Sequence, residues 1–426
     1  MSTNKISRKS LKHVILISAS RPNKRDYDRY GAAYFNSCGI DVIWLDVMDI
    51  CHPHLTPPAT NEPLPNGLTT RHISTLSELK NEEETLRSAD LVFAMFTDSA
   101  LTRHNLPVFK LIARAETHYA FLINNIFPGV HQYKGEVKNT FKRIAHIISR
   151  LSSLDIKSSL LFRLPFRWLG LKQADYAIHG GRKSAVSRNS FGATTKRIYA
   201  HAHDYEYYRN NKSDAEKTTQ TAVFIDQNIF QHHDFTLYPG FSLGNPNDYY
   251  RGLNALFDRI EQEFKLNVII AAHPRADYQK LGNPFSGRKI INGETNRLVR
   301  DCQLTMTFTS QAMNYAVLYG KPIAILSTRD FYRHPCGKSY QDPMAASIGN
   351  PIVFLEKSEQ EDLKSIMTVD SDLYDRFIGD YIKIPDSTDA PLWEIITNEI
   401  CHHQSLHKPV CKDLDFKHHQ LEKNSL

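Results

Sequence analysis

Short apolar runs alternate with amphipathic or polar stretches along most of this 426-residue chain. In the first half, five runs have the length and composition of buried strands: 13–18, 41–47, 90–96, 119–124 and 174–179. The stretch 26–37 ends just before Gly39 and predicts a helix between the first two strands. Strands that alternate with helices predict a parallel sheet covered by helices on both faces.

The second half repeats this alternation after a polar stretch. The pattern predicts strands at 221–225, from Val268, from Leu304 and at 322–326, with helices at 248–264, 295–301 and 311–319. We therefore expect two Rossmann-like α/β domains that face a cleft. The predicted boundaries are 1–207 for the first domain, 208–219 for a linker, 220–380 for the second domain, and 381–426 for a C-terminal helix and polar tail. Residues 356–404 are predicted to be helical and to cross back onto the first domain.

Composition and charge limit the classes of function. With 41% hydrophobic and 23% charged residues, the chain is predicted to be globular. No apolar run reaches the roughly 20 residues that span a bilayer, and the start lacks the apolar core of a signal peptide, so we expect a cytoplasmic protein. The six cysteines show no CxxC spacing and are interpreted as thiols. A formal charge of +6 suits an anionic ligand or an anionic membrane surface, whereas no motif indicates nucleic acid.

Polar residues follow two of the predicted strands of the second half. His273, Pro274 and Arg275 come after the strand from Val268, and Thr309, Ser310 and Gln311 come after the strand from Leu304. Ligands of open α/β sheets lie outside the carboxyl ends of the strands, so both groups are predicted to face one bound anion. Arginine offers two parallel donors to a phosphate, and a helix that starts at Gln311 would add free N–H groups. The alternative is an exposed loop followed by an ordinary helix cap.

Candidates for proton transfer and for a second substrate lie at other strand ends. Asp226 and Gln227 follow the strand 221–225, and Asp204 closes a strand-like run before the linker. Asp204 and Asp226 are therefore predicted as catalytic or cleft residues, with Gln227 beside them. His232, His233 and Asp234 lack the spacing of a metal site, so no metal is expected.

The turn that begins at His179 is a further candidate. Gly180 and Gly181 follow this histidine in a pattern that is neither a dinucleotide fingerprint nor a phosphate-binding loop. We predict a catalytic role for His179 and contact of the two glycines with the second substrate or the cleft; a plain turn is the alternative.

The segment 158–172 interleaves bulky apolar residues with Arg and Lys as its only charges. Arg163, Arg167, Trp168 and Lys172 are predicted to lie at the headgroup level of a membrane interface. A helix packed in the core is the alternative.

The second half resembles the donor-binding domain of GT-B glycosyltransferases, in particular bacterial enzymes that use CMP-activated sialic acid or Kdo. The resemblance rests on the strand with His273 and Pro274, the strand that ends in Thr309 and Ser310, and the stretch 316–322, and it covers about 221–326. It implies that those four residues contact the nucleotide and its phosphate, and that the first domain holds a surface glycan or glycolipid acceptor, such as lipopolysaccharide or capsule.

The resemblance further implies inverting transfer without a metal or other cofactor, at the inner face of the membrane. The acidic pair followed by glycine that supplies the base in several such sialyltransferases is absent from this sequence. Two alternatives stay open. One is a CDP-polyol phosphotransferase of the teichoic-acid type, and the other is a non-catalytic subunit that binds nucleotide sugars in a polysaccharide assembly complex.

Overall fold

The computed structural model describes residues 11–53, 68–95, 101–129, 166–184, 190–212, 218–231, 235 and 241–406. Most of the Pro-rich stretch at 52–67, Arg163 with the segment before it, and His232, His233 and Asp234 lie outside these residues. Predictions that concern them therefore stay predictions.

The first sheet is parallel and has seven described strands in the order β3-β2-β1-β4-β5-β6-β7. The strands are β1 (His13–Ser18), β2 (Asp41–Asp46), β3 (Thr69–His72), β4 (Leu91–Met95), β5 (Tyr119–Ile123), β6 (Tyr176–His179) and β7 (Lys196–Tyr199). The five strands predicted in this half are confirmed to within two residues at each end. Strand β3 was not predicted because it is a polar edge strand of four residues and carries no apolar run.

Helices cover both faces of this sheet. They are α1 (Lys24–Arg29), α2 (Ala32–Ser37), α3 (Met48–Cys51), α4 (Leu76–Asn81), α5 (Glu83–Ser88), α6 (Leu106–Ala115) and the one-turn helices Phe166–Leu169 and Arg182–Ser184. The single helix predicted at 26–37 is wrong, because Gly31 breaks it with a φ of 81°. A Cβ on Gly31 would lie 2.4 Å from the Trp393 ring, so a side chain is excluded there.

The second sheet is also parallel, with six described strands in the order β10-β9-β8-β11-β12-β13. The strands are β8 (Thr221–Ile225), β9 (Asn267–Ala272), β10 (Lys289–Asn292), β11 (Leu304–Thr307), β12 (Ile323–Ser327) and β13 (Ile352–Phe354). The helices are α7 (His203–Asn211), α8 (Pro246–Phe264), α9 (Tyr278–Leu281), α10 (Thr295–Asp301), α11 (Met313–Leu318), α12 (Arg329–Arg333), α13 (Lys338–Ile348), α14 (Ser371–Phe377) and α15 (Leu392–Leu406). The two outer strands β10 and β13 were missed, since three or four residues give too little periodicity.

The segment between the two sheets differs from the prediction. Strand β7 ends at Tyr199 and helix α7 begins at His203, so Asp204 lies in the first turn of a helix and not at the end of a strand. The predicted linker 208–219 begins inside this helix, which continues to Asn211.

The C-terminal segment crosses back onto the first domain, as predicted. Trp393 of α15 packs its ring 5.3 Å from the rings of both Phe35 and Phe93, inside the apolar cluster of the first domain. The prediction of continuous helix over 356–404 is wrong in part, because residues 383–391 connect a π-helical turn (Ile378–Ile382) to α15 without helix. The molecule therefore has two Rossmann-like domains that face a cleft, with C-terminal helices that return to the first.

Candidate active site

Asp226 connects two strand ends of the second domain. It follows β8, and its side chain is buried. Its carboxylate accepts hydrogen bonds from the Tyr278 hydroxyl (2.7 Å), the Asn228 N–H (2.9 Å) and the His273 N–H (3.3 Å). Burial raises the pKa of Asp226, and these hydrogen bonds oppose the rise. With its oxygens occupied in this way, Asp226 fixes the position of the turn that carries His273.

His273 begins this turn. Its Nδ1 accepts a hydrogen bond from the Arg275 N–H (3.2 Å), so a neutral imidazole carries its proton on Nε2. Pro274 and Arg275 are exposed beyond the end of β9. The arrangement places the His273 ring and the Arg275 guanidinium group at the carboxyl edge of the second sheet.

A second His-Pro pair, which sequence reasoning did not single out, provides a contrast. His334 Nδ1 likewise accepts from the N–H two residues on, at Cys336 (3.1 Å), but its Nε2 donates to the Phe235 carbonyl (2.9 Å). His334 is buried, whereas His273 is only half-buried. The His-Pro dipeptide thus forms the same type of turn at both positions. Of the two histidines, only His273 is exposed enough to contact a ligand.

Gln227 joins the end of β8 to the end of β11. Its side-chain oxygen accepts from the Thr309 N–H (2.6 Å), and its nitrogen donates to the Thr309 hydroxyl (3.2 Å). The Ser310 hydroxyl accepts from the Ala312 N–H (3.3 Å). The prediction that the helix starts at Gln311 is wrong, since Gln311 lies in a turn and α11 begins at Met313.

The three strand ends therefore meet at one edge. In the order β9-β8-β11, Asp226 ties His273 to the central strand and Gln227 ties Thr309 to it from the other side. The predicted donor-site residues share this edge, as expected for the carboxyl ends of parallel strands. Their contact with a nucleotide stays a prediction.

Asp204 lies in the first turn of α7, in the segment that connects the two sheets. Its carboxylate accepts a hydrogen bond from the Asn314 side chain on α11 (2.8 Å). Burial raises the pKa of Asp204, and Asn314, Arg29, Tyr315 and Arg25 oppose this rise. A carboxylate held in this way keeps a higher affinity for protons than an exposed aspartate has.

Cations from both domains act on Tyr30 of the first domain. Burial raises the pKa of Tyr30, and Arg29 and Arg25 of the first domain, together with Arg275 of the second, act against that rise. The interaction of Arg275 with Tyr30 crosses the cleft. Arg25 and Arg29 were missed because they belong to no motif; the available signal was their position on the helix that follows the first strand.

The turn after β6 has a packing function. His179 is fully buried, with its ring centroid 5.3 Å from that of Tyr199. A Cβ on Gly180 would lie 2.5 Å from the Asn124 carbonyl oxygen, and one on Gly181 would lie 2.2 Å from the Asp380 backbone. The absence of side chains at these glycines allows the C-terminal segment around Asp380 to pack closely against this turn. Close packing alone accounts for the two glycines, with no need for a bound acceptor substrate. The roles predicted for His179, Gly180 and Gly181 stay predictions.

A polar cluster at the carboxyl edge of the first sheet was also missed. Arg21 pairs with Asp46 (2.5 Å) and Asp49 (2.8 Å), and His72 Nε2 lies 3.0 Å from Asp49. The residues lie at or just beyond the ends of β1, β2 and β3, which are too far apart in sequence to form a recognisable motif.

Two further findings concern metals and membranes. Across the described ranges, no group of three or more His, Cys, Asp or Glu side chains has the geometry to hold a metal ion.

No helix in the part of the chain that the structure describes is long and apolar enough to span a bilayer. In the predicted interfacial segment, Trp168 is 68% exposed, and the Lys172 ammonium group bonds Asp175 and the Thr117 carbonyl. The position of this segment at a membrane stays a prediction.

Comparisons with known proteins support the fold. No protein-family model matches the chain, and no curated protein matches it in sequence. Among solved structures, the calicheamicin glycosyltransferase CalG4 is similar with a TM-score of 0.52 and 11% identity, covering 93% of this chain and 99% of that one. The wall teichoic acid polymerase TagF is similar with a TM-score of 0.53 and 12% identity, over 94% of this chain and 92% of that one. The chain therefore has the GT-B fold.

Proposed function

We propose that this protein is a glycosyltransferase that moves a sugar from a nucleotide-activated donor to a surface glycan or glycolipid acceptor. The donor that we propose is a CMP-linked sugar. The observation that carries the proposal is the meeting of three strand ends at one edge of the second sheet, where Asp226 accepts from the His273 N–H and Gln227 bonds Thr309. A nucleotide sugar is anionic at its phosphate, and transfer of the sugar increases the negative charge on the departing phosphate. Fixed donors and cations aimed at that charge are the usual means of stabilising it.

His273 and Arg275 have distinct roles in this proposal. His273 donates a hydrogen bond from Nε2–H to a phosphate oxygen. The guanidinium group of Arg275 neutralises the negative charge of the departing phosphate. Arg25 and Arg29 add positive charge from the first domain when the cleft holds a donor. These four side chains take the place of a divalent ion, so the proposed transfer is independent of metal.

Asp204 is our candidate for the general base. Its raised pKa makes the ionised carboxylate a stronger proton acceptor than an exposed aspartate. The positive charges of Arg25 and Arg29 act on Asp204, whereas Asp226 accepts three hydrogen bonds and His179 is sealed from solvent. Attack of an acceptor hydroxyl opposite the phosphate, with proton transfer to Asp204, gives inversion at the anomeric carbon.

The first experiment identifies the nucleotide. Thermal shift with CMP, CDP, UDP and GDP should show stabilisation by one of them, since a ligand that binds only the native state raises its stability. His273→Ala and Arg275→Ala should abolish that shift, whereas Arg251→Ala, which removes an exposed arginine on α8, should leave it intact. A shift that survives both changes at the strand end would refute the donor site.

The second experiment tests the base. Asp204→Asn keeps the size of the side chain, so we expect lower kcat with unchanged donor affinity. General bases contribute about 10²- to 10⁴-fold, and the loss should fall in that range. A variant that retains full turnover would exclude Asp204 from proton transfer. Transfer in the presence of EDTA should be undiminished.

The similarity to TagF supports a second candidate, transfer of a polyol phosphate from a CDP-linked donor as in teichoic-acid synthesis. The two reactions differ in the bond that forms. Product analysis for a glycosidic or a phosphodiester linkage separates them, and nucleotide binding without any turnover would indicate a non-catalytic subunit.

A further inference from the structure

We propose that the outer side of helices α4 and α6 binds an anionic lipid bilayer. Between these helices lies a pocket of about 170 Å³. Its floor is formed by Leu76, Leu79, Leu106 and Pro107. This surface, with the cations described next, is called the α4–α6 face, and the proposal is independent of the donor chemistry above.

Cations form the rim of the pocket. Lys80, Lys110 and Arg114 line it, and all three side chains are exposed. Arg114 bonds Glu83 (2.9 Å), whereas Lys80 and Lys110 make no ion pair with any residue that the structure describes. Two ammonium groups are thus available to lipid phosphates above an apolar floor. That is the arrangement by which amphipathic surfaces lie in a membrane interface.

Exposed apolar side chains extend the face. Leu76 is 53% exposed at the start of α4. On the other flank of α6, the Phe166 ring packs 5.5 Å from the Phe109 ring and places the one-turn helix 166–169 beside α6. Trp168 on that helix is 68% exposed and follows the exposed Arg167. Tryptophan beside a cation is typical of residues at headgroup depth.

The topology places this face next to the cleft. Helix α4 follows β3 and α6 follows β4, so the first residues of both helices lie at the carboxyl edge of the first sheet. Leu76 and Leu106 are therefore on the cleft side of the face. A bilayer bound there would present a lipid-linked acceptor to the edge of the cleft.

Charge favours a bilayer over another protein copy. A symmetric dimer through this face would bring the unpaired Lys80 and Lys110 toward their own counterparts, and like charges oppose such contact. An anionic bilayer supplies both the phosphate groups for the rim and the acyl chains for the floor.

The test uses the full chain and two kinds of vesicle. In a flotation assay, we expect the protein to float with vesicles that contain phosphatidylglycerol. With vesicles of pure phosphatidylcholine, it should remain unbound at the bottom of the gradient. Each lysine near an anionic surface contributes about 1 kcal/mol, so Lys80→Gln/Lys110→Gln should weaken partitioning about 30-fold. The control Lys289→Gln/Lys364→Gln removes the same charge from exposed sites of the second domain and should leave binding unchanged.

A spectroscopic readout locates the contact. Of the three tryptophans, Trp44 and Trp393 are buried, so a blue shift of emission on vesicle binding reports Trp168. The shift should disappear in Trp168→Phe. Equal flotation of the two double variants would overturn the proposal, as would binding to neutral vesicles alone. Self-association that Lys110→Gln strengthens, without lipid binding, would instead show a protein interface.

Discussion

Removal of the Tyr278 hydroxyl should destabilise the second domain far more than removal of a similar hydroxyl elsewhere in it. Tyr278→Phe deletes a 2.7 Å hydrogen bond to Asp226, a carboxylate that is 5% exposed. Tyr332→Phe deletes a bond of the same length to Asp342, which is partly exposed. Only in the first case does a buried carboxylate lose a hydrogen bond that water cannot readily replace.

The magnitudes follow from that difference in burial. Loss of a hydrogen bond to a buried charged group costs about 1.5–3 kcal/mol, which for a domain of this size lowers the melting temperature by about 3–12 °C. Water can replace the hydroxyl at Asp342, so Tyr332→Phe should cost about 0.5–1 kcal/mol. Scanning calorimetry of the two variants beside the wild type provides the comparison.

The effect of Tyr278→Phe should also depend on pH. Burial raises the pKa of Asp226 above 3.8, so its contribution to stability is present in acid and is lost as pH rises through the folded-state pKa. The Tyr278 hydroxyl opposes the rise, and its removal raises the folded-state pKa further. The variant should therefore lose more stability at neutral than at acid pH. Equal losses in the two variants, or a pH-independent loss at Tyr278, would refute this reasoning.

Three further changes test other parts of the molecule. Trp393→Ala should cost the first domain about 3–5 kcal/mol, because a buried indole is lost, and calorimetry should show the change in its transition. Gly181→Ala should lower the yield of folded protein, since its Cβ would lie 2.2 Å from the backbone of Asp380; an unchanged melting curve would contradict the crowding seen there. Gln227→Ala removes both bonds to Thr309 and should raise the KM for donor more than it lowers kcat in steady-state assays.

The sequence predicted the elements that bury apolar surface and missed those that do not. Strand β8 matches its predicted limits because four of its five residues, AVFI, are apolar, whereas β3, with the sequence TTRH, carries no comparable signal. The break at Gly31 depends on Trp393, which is 362 residues further on, so local pattern could not reveal it.

The same distinction applies to the candidate site. His273 and Ser310 were found because they directly follow strong strand signals. Arg25 and Arg29 required knowledge that α1 faces the second domain, and Asp204 was placed on the wrong kind of element. Contacts between domains are set by tertiary packing, which short sequence windows do not encode.

The return of helix α15 makes the first domain discontinuous along the chain, with consequences for synthesis. Its apolar cluster includes Leu392, Ile396 and Ile400, which leave the ribosome only after the whole second domain. During that interval Phe35 and Phe93 lack the indole that packs on them in the finished molecule. The first domain therefore cannot complete this cluster until the second domain has been synthesised.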